Sequence, residues 1–192
     1  DTDEAVDLLC RMKEIVPEYV RIQRIQRDIP VPQITAGIMQ SNIRQLVGDE
    51  MERRGRPCRC IRCREVGHRG VRLEDPEKVR LKTTEYDASG GREYFVALEY
   101  EDSLVGYVRV RVDSNPVATI RELKVFGKIV SIGDAGEDWQ HRGYGKTLVA
   151  EAERIALENG KNGIRVTSGV GVRKYYESLG FRKDLPYMLK RL

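Results

Sequence analysis

Gln140-His141-Arg142-Gly143-Tyr144-Gly145, running on into Lys146-Thr147-Leu148, is the stretch that decides the fold of this chain. Two glycines one residue apart let the backbone turn sharply and come close to a ligand. After them Leu148, Ala152, Ile155 and Ala156 recur at the spacing of an amphipathic helix. A helix that starts there points its first amides and the positive end of its dipole at the loop. Phosphate and pyrophosphate groups bind at such ends. Alone, the pattern is also that of an ordinary tight turn, so the flanking sequence decides.

Outward from this loop, strands come first. Residues 78–86, 93–100, 104–112 and 118–126 read as strands, the middle two joined by Glu101-Asp102-Ser103. Leu104, Val108, Val110 and Val112 oppose Arg109 and Arg111, which predicts a hairpin with one covered face. Residues 127–138, rich in glycine and acid, form a loop before the opening stretch. Downstream, Asn159-Gly160 stops the helix, 164–168 is a short strand, and Gly169-Val170-Gly171 is a flexible link. A short helix over 172–179 and a final strand over 187–192 complete an α/β pattern.

The first third reads differently. A helix over 3–16 ends at Pro17, 19–26 is extended or a strand, and two prolines keep 24–32 in a loop. A second helix starts near Ser41 or Asn42, with Ile43, Leu46, Val47 and Met51 on its apolar face. Then Cys58-x-Cys60-x-x-Cys63 falls within six residues, too tight for disulfides between distant segments and well spaced for one metal ion. Three thiolates leave a tetrahedral zinc site one ligand short, and Cys10, His68 or a carboxylate is the fourth. An iron–sulfur cluster asks for four cysteines and fits less well, and three free buried thiols are the remaining alternative. Around them lie Arg53, Arg54, Arg56, Arg59, Arg62, Arg64, Arg69 and Arg72 against one acid, Glu65, although the whole chain carries only +4. Arginine in such density suits bidentate phosphate contacts, with RNA or DNA as partner, or else forms a solvated face. Cysteine vanishes and arginine thins near 74–82, which marks a module boundary. With 40% apolar and 33% charged residues the chain supports a packed core. No apolar run is long enough to span a bilayer and no signal-peptide pattern appears, so the expectation is a cytoplasmic chain without a membrane partner. It begins Asp1-Thr2-Asp3 without methionine, as a processed chain or an excised piece of something larger would.

Strands, then a glycine loop and helix, then strand–helix–strand, is the order of the GNAT acetyltransferase fold. Gln140-x-x-Gly143-x-Gly145 resembles that superfamily's acetyl-coenzyme-A loop, and Tyr175-Tyr176-Glu177-Ser178-Leu179-Gly180-Phe181 resembles its frequent ending. Four stretches are similar to the Elongator catalytic-subunit family: Arg121-Glu122-Leu123-Lys124-Val125-Phe126-Gly127, the opening stretch, Ser168-Gly169-Val170-Gly171-Val172-Arg173-Lys174-Tyr175-Tyr176, and Pro186-Tyr187-Met188. Gln26-Arg27-Asp28-Ile29-Pro30 and the cysteine segment through Arg64-Glu65-Val66 extend the resemblance, in its prokaryotic form, over most of the chain. It implies a GNAT domain over 76–192, preceded over 1–75 by the tail of a radical S-adenosylmethionine (SAM) domain and a cysteine-rich, zinc- and tRNA-binding linker. It also implies a tRNA-modifying enzyme that uses acetyl-coenzyme A to build 5-carboxymethyl groups on the wobble uridine. S-adenosylmethionine and an iron–sulfur cluster belong to the intact protein only, because the cluster-binding cysteines of the radical domain are not among these residues.

On this reading Gln140, His141, Arg142, Gly143, Tyr144, Gly145 and Lys146 hold the pyrophosphate through backbone amides. Glu122, Leu123, Lys124 and Val125 run beside the pantetheine arm, where a bulge would free main-chain groups. Tyr176 is favoured for coenzyme contact and for protonating the leaving thiolate, with Tyr175 the alternative and core packing expected of one of the pair. Glu122 orients a water or the acetyl group, or is simply an outward-facing strand carboxylate. His141 is structural or RNA-facing rather than a base. Cys58, Cys60 and Cys63 bind zinc, and Arg53, Arg54, Arg56, Arg59, Arg62 and Arg64 bind RNA. Two other functions fit the same residues: a protein (histone) lysine acetyltransferase, and an RNA-binding zinc module fused to a non-catalytic GNAT fold. The oligomeric state is open.

Overall fold

Asp1 accepts a hydrogen bond from the Glu4 amide while the Glu4 carboxylate takes one from the terminal amine, and this capping box starts α1 (Thr2–Ile15). The computed structural model describes residues 1–25, 31–35, 37–72, 74–126 and 143–192. These divide into two units, Asp1–His68 and Arg69–Leu192.

In the first unit α1 packs on α2 (Ile43–Arg53), and their apolar faces meet around Cys10, Ile43, Val47 and Met51. Cys58 and Cys60 belong to the same core, with Val6, Leu9, Val16 and Ile22 packed against it. Two four-residue helices follow, α3 (Ile61–Arg64) and α4 (Val66–Arg69), which the spacing of apolar residues does not reveal. The strand considered for 19–26 has no ladder in its described part, although the Ile61 amide donates to the Val20 carbonyl at 2.9 Å. A short 3-10 turn covers Val31–Gln33.

The second unit is a seven-stranded sheet. Its strands are β1 (Arg80–Ala88), β2 (Gly91–Tyr100), β3 (Ser103–Val112), β4 (Val117–Val125), β5 (Gly163–Val166), β6 (Arg182–Asp184) and β7 (Tyr187–Arg191). The spatial order is β1-β2-β3-β4-β5-β7-β6. All neighbours are antiparallel except β4 and β5, which run parallel and are joined through α5 (Tyr144–Glu158). Helix α5 buries Leu148, Val149, Ala152, Ile155 and Ala156. Each large aliphatic side chain so buried contributes about 1.5–3 kcal/mol. The Tyr94 hydroxyl and the Asn159 side chain bond at 3.1 Å, and Lys190 pairs with Glu153 at 2.8 Å, both on the α5 side of the sheet. One short helix, α6 (Arg173–Ser178), follows β5.

Three expectations change. The second hairpin strand was expected to be covered on one face, yet Ser103 through Val108 are buried on both. The face away from α5 has its own layer, with the Tyr107 ring 5.2 Å from Phe95 and 5.9 Å from Phe126. The link expected to be flexible at 169–171 is wound into a 3-10 turn, Val170–Val172, that leads straight into α6. The edge strand β6 was not anticipated, because three polar residues (Arg182, Lys183 and Asp184) carry no apolar alternation. The loop read over 127–138, and Gln140, His141 and Arg142, lie outside the described residues.

Candidate functional site

Gly143 precedes α5 with φ of 80°, a left-handed conformation that favours glycine, and no side chain caps the helix. The amides of Lys146 and Thr147 both turn back to the Gly143 carbonyl, at 2.9 and 3.1 Å. The first turn contains no acid and carries Lys146, so the positive end of the dipole is not offset there. Gly145 has a further constraint. A Cβ on it would lie 2.5 Å from the Tyr175 hydroxyl, so the coenzyme-type loop and the tyrosine helix meet at this one point.

Beside it the sheet opens. The β4–β5 ladder pairs Val117 with Gly163 through Ile120 with Val166 and then stops, while β4 stays paired to β3 as far as Val125. Leu123, Lys124 and Val125 therefore have no ladder partner on their β5 side among the described residues. The register against β3 slips at the same place: Arg109 faces Glu122 and Val110 faces Ile120, which makes Arg121 the extra residue of a bulge. Glu122 is about half exposed and its Oε2 accepts from Arg109 Nε at 3.2 Å. Arg109 also donates to the Tyr86 hydroxyl at 3.1 Å and lies 5.3 and 5.6 Å from the Phe95 and Tyr107 ring centroids. Arg109, read from the sequence as one outward face of a strand, is thus the partner that fixes Glu122. Only the bulged register brings the two together, and no sequence pattern signals it.

The two tyrosines of α6 are placed differently. Tyr176 is buried and sits edge-on between Tyr175 and Phe181, with ring centroids 5.3 and 5.5 Å away. Burial, and secondarily the neighbouring Tyr175, push its hydroxyl up to about 12. The Tyr175 hydroxyl is buried against Gly145 with no hydrogen-bond partner among the described residues, and burial raises its pKa as well. Just past β5, the Ser168 hydroxyl is likewise buried and unpartnered among the described residues. Both tyrosines stay protonated at neutral pH, as a proton donor must.

In the first unit the Sγ atoms of Cys58, Cys60 and Cys63 all lie within 4.8 Å of one another, the first two buried and the third half-buried. Hydrogen bonds from Cys58 and Cys63 lower the pKa of Cys60 despite burial, while bonds to Cys60 and Cys63, together with burial, push Cys58 up. A trio that stabilises one thiolate and closes on a single point can hold a metal ion. Cys10 stands apart: its thiol is turned to the Val47 carbonyl at 3.7 Å, and burial raises its pKa. Neither Cys10 nor His68 joins the three-cysteine group among the described residues.

The arginines expected to meet RNA are largely engaged within the unit. Arg53 and Arg54 both bond Glu50 at 2.7 Å, Arg54 also reaches Asp7 at 2.8 Å, and Arg56 reaches Glu14 at 3.0 Å. Arg53 and Arg56 nevertheless remain exposed. Arg64 is completely buried, and its guanidinium donates to the carbonyls of Arg59 and Glu18 at 3.1 and 3.5 Å. That side chain holds the fold of the cysteine loop.

Residues 1–53 match the model of the radical SAM C-terminal domain, and residues 46–181 match that of the acetyltransferase (GNAT) family. A tRNA uridine(34) acetyltransferase of Methanocaldococcus infernus is 44% identical over 99% of this chain and 39% of its own length. Elongator complex protein 3 of Schizosaccharomyces pombe is 43% identical over 97% of the chain and 37% of its own length. The structure of the archaeal Methanocaldococcus infernus Elp3 superimposes with a TM-score of 0.89 at 42% identity, covering 100% of this chain and 49% of that one. The chain spans about two fifths of the length of the curated relatives it matches. No helix among the described residues is long and apolar enough to cross a membrane.

Proposed function

The chain belongs to the GNAT acetyltransferase family, in the line of the tRNA uridine(34) acetyltransferases and Elongator complex protein 3, and from that membership we propose that it is the acetyl-coenzyme-A-binding part of an enzyme that modifies the wobble uridine of tRNA. The observation that carries this reading is the meeting of Tyr175 and Gly145 at the mouth of α5, beside the gap between β4 and β5. A pyrophosphate at Gly143–Lys146 would be met by helix amides and dipole. The unladdered edge of Leu123, Lys124 and Val125 offers main-chain groups to an extended pantetheine arm. Tyr175, the tyrosine with its hydroxyl at that mouth, gives a proton to the departing thiolate, and Tyr176 packs behind it as support. Glu122, held by Arg109, orients the acetyl end.

Residues 1 to about 75 serve, on the same reading, as the tail of a radical SAM domain and a linker that carries tRNA-binding arginines. Cys58, Cys60 and Cys63 would hold zinc there as a structural clamp, with Cys60 supplying the first thiolate. The S-adenosylmethionine and iron–sulfur chemistry of the intact protein rests with segments other than these residues.

The test is acetyl-coenzyme-A hydrolysis with and without tRNA, in the wild-type chain and in Tyr175→Phe. We expect hydrolysis that tRNA stimulates and that the substitution lowers about 100-fold. A chain that binds no coenzyme would leave only an RNA-binding module. Acetylation of a histone tail indifferent to tRNA would favour a protein lysine acetyltransferase.

A further inference from the structure

Between Lys161 and Arg191 the sequence holds eight basic residues and two acids, although the whole chain carries only +4. The register of the sheet sorts these charges. Thr119 faces Arg165, Arg165 faces Leu189, and Leu189 faces Arg182, so one cross-strand row on one face carries both arginines. Arg191, two residues on from Leu189, shares that face. Lys190 points the other way, to Glu153 of α5. The arginine row therefore lies on the sheet face away from α5. Arg165 is fixed, with Nε donating to Thr119 Oγ1 at 3.0 Å and its guanidinium 4.6 Å from the Tyr187 ring centroid. Arg182 and Arg191 are exposed and have no ion-pair partner among the described residues. They line an open groove of about 490 Å³ with Lys183, Asp184, Leu189 and Gly180. At the inner end of the row stands Arg121, the bulge residue, 55% exposed although it donates to Glu93.

We propose that this face is a second RNA site, in which Arg182 and Arg191 take phosphodiester groups and Arg165 and Arg121 continue the track to the gap between β4 and β5. The inference rests on the tRNA reading and adds to it a direction of approach. Pairing of Thr119 with Arg165 is the last rung but one before the strands part. An RNA strand along the row thus reaches the gap from the face opposite the helix that would hold the coenzyme pyrophosphate. Donor and acceptor enter from two sides and do not compete for space. Arginine forks held on strands suit this ligand, because planar guanidinium groups pair bidentately with phosphate oxygens. The aromatic ring at Tyr187 keeps Arg165 in place without cancelling its charge.

The test is a titration of fluorescently labelled tRNA with the full chain and with the double variant Arg182→Gln/Arg191→Gln, at several salt concentrations, followed by anisotropy. Both side chains are exposed, so the thermal midpoint should be unchanged and serves as the check on folding. Loss of two phosphate contacts should weaken tRNA binding about tenfold at low salt. It should also reduce the slope of log K against log salt by about 2. Equal affinity and slope in wild type and variant would overturn the site while leaving tRNA binding through the first unit intact. Polyglutamate is the second probe. A variant that loses polyglutamate but keeps tRNA would make this a surface for an acidic protein segment and overturn the RNA assignment. A wild-type chain with no affinity for tRNA would overturn the tRNA reading itself, and this site with it.

Discussion

The hydroxyl of Tyr175 lies 2.5 Å from the point where Gly145 would carry a Cβ, so a side chain at 145 fits only if Tyr175 moves. Without that neighbour, alanine in the first turn of α5 would be favoured over glycine by roughly 0.5–1 kcal/mol. Gly145→Ala should instead displace Tyr175 and lower acetyl-coenzyme-A affinity at least tenfold by calorimetry. The double variant Gly145→Ala/Tyr175→Phe should recover most of that affinity, because the next nearest ring atom is at 3.4 Å. Additive losses in the two single variants would break the proposed link between the residues.

Tyr175→Phe by itself separates stability from chemistry. Its hydroxyl is buried without a partner among the described residues, and leaving such a group unsatisfied costs about 1–3 kcal/mol. Removing it should leave the thermal midpoint unchanged or raise it. Coenzyme hydrolysis should fall about 100-fold, the lower range for loss of a general acid. A destabilised variant with normal turnover would make Tyr175 a packing residue.

Much of this was legible in the sequence, and the parts that were not share a cause. The alternation of Val108, Val110 and Val112 with Arg109 and Arg111 in β3, and the apolar positions 148, 152, 155 and 156 of α5, give the right elements, because each reports a local contact pattern. The bulge at Arg121 is a matter of register, which depends on pairing between strands and leaves no mark in either one. Adjacent tyrosines on a six-residue helix look equivalent until the docking of α6 turns one to Gly145 and the other to Phe181. Arg64 stands in a run that reads as a solvated basic face, yet it is buried because the carbonyls of Arg59 and Glu18 accept its guanidinium. Composition counts charges and is blind to what each one meets.

For the cysteines, elemental analysis of the purified chain should find about one zinc per molecule, since three thiolates at one point make one structural site. Cys60→Ser should abolish it and destabilise the first unit, because Cys60 is one of the three converging sulfurs and lies fully buried in that unit's core. Cys10→Ser should keep the metal, as that thiol is turned to Val47. Loss of zinc in Cys10→Ser would return Cys10 to the ligand set.

Tyr176 sets a limit at high pH. Its hydroxyl is pushed from an ordinary value of 10.0 up to about 12. Between these values the unfolded chain has released the proton and the folded chain still holds it, so rising pH favours unfolding. The stabilisation is whole below pH 10 and is lost by about pH 12, with an upper bound of roughly 2–3 kcal/mol. Denaturant titrations across that range should steepen for the wild type and flatten for Tyr176→Phe. Identical curves would mean that the ring is not held as tightly as its packing implies.

Glu93 provides the most demanding test of the sheet. It is completely buried on β2, and its Oε1 accepts from Arg111 at 3.1 Å and from Arg121 at 2.8 Å. Its other oxygen has no partner among the described residues. Arg111 has further acceptors in Asp113, Ala88 and Ser89, whereas Glu93 is the one acid that pairs with Arg121 among the described residues. Glu93→Gln keeps the shape and removes the charge, which leaves two guanidinium groups with a weaker acceptor. Breaking a buried pair from one side costs about 3–5 kcal/mol, and the exposure of Arg121 reduces that to roughly 2–3 kcal/mol. Glu93→Leu removes the unpartnered oxygen as well but leaves Arg121 without its acid, so it should be no more stable than Glu93→Gln. Chemical denaturation of the two variants decides the matter. A variant as stable as the wild type would show that the bulge holds its place without this carboxylate, and the geometry assigned to Arg121 and Glu122 would then need another anchor.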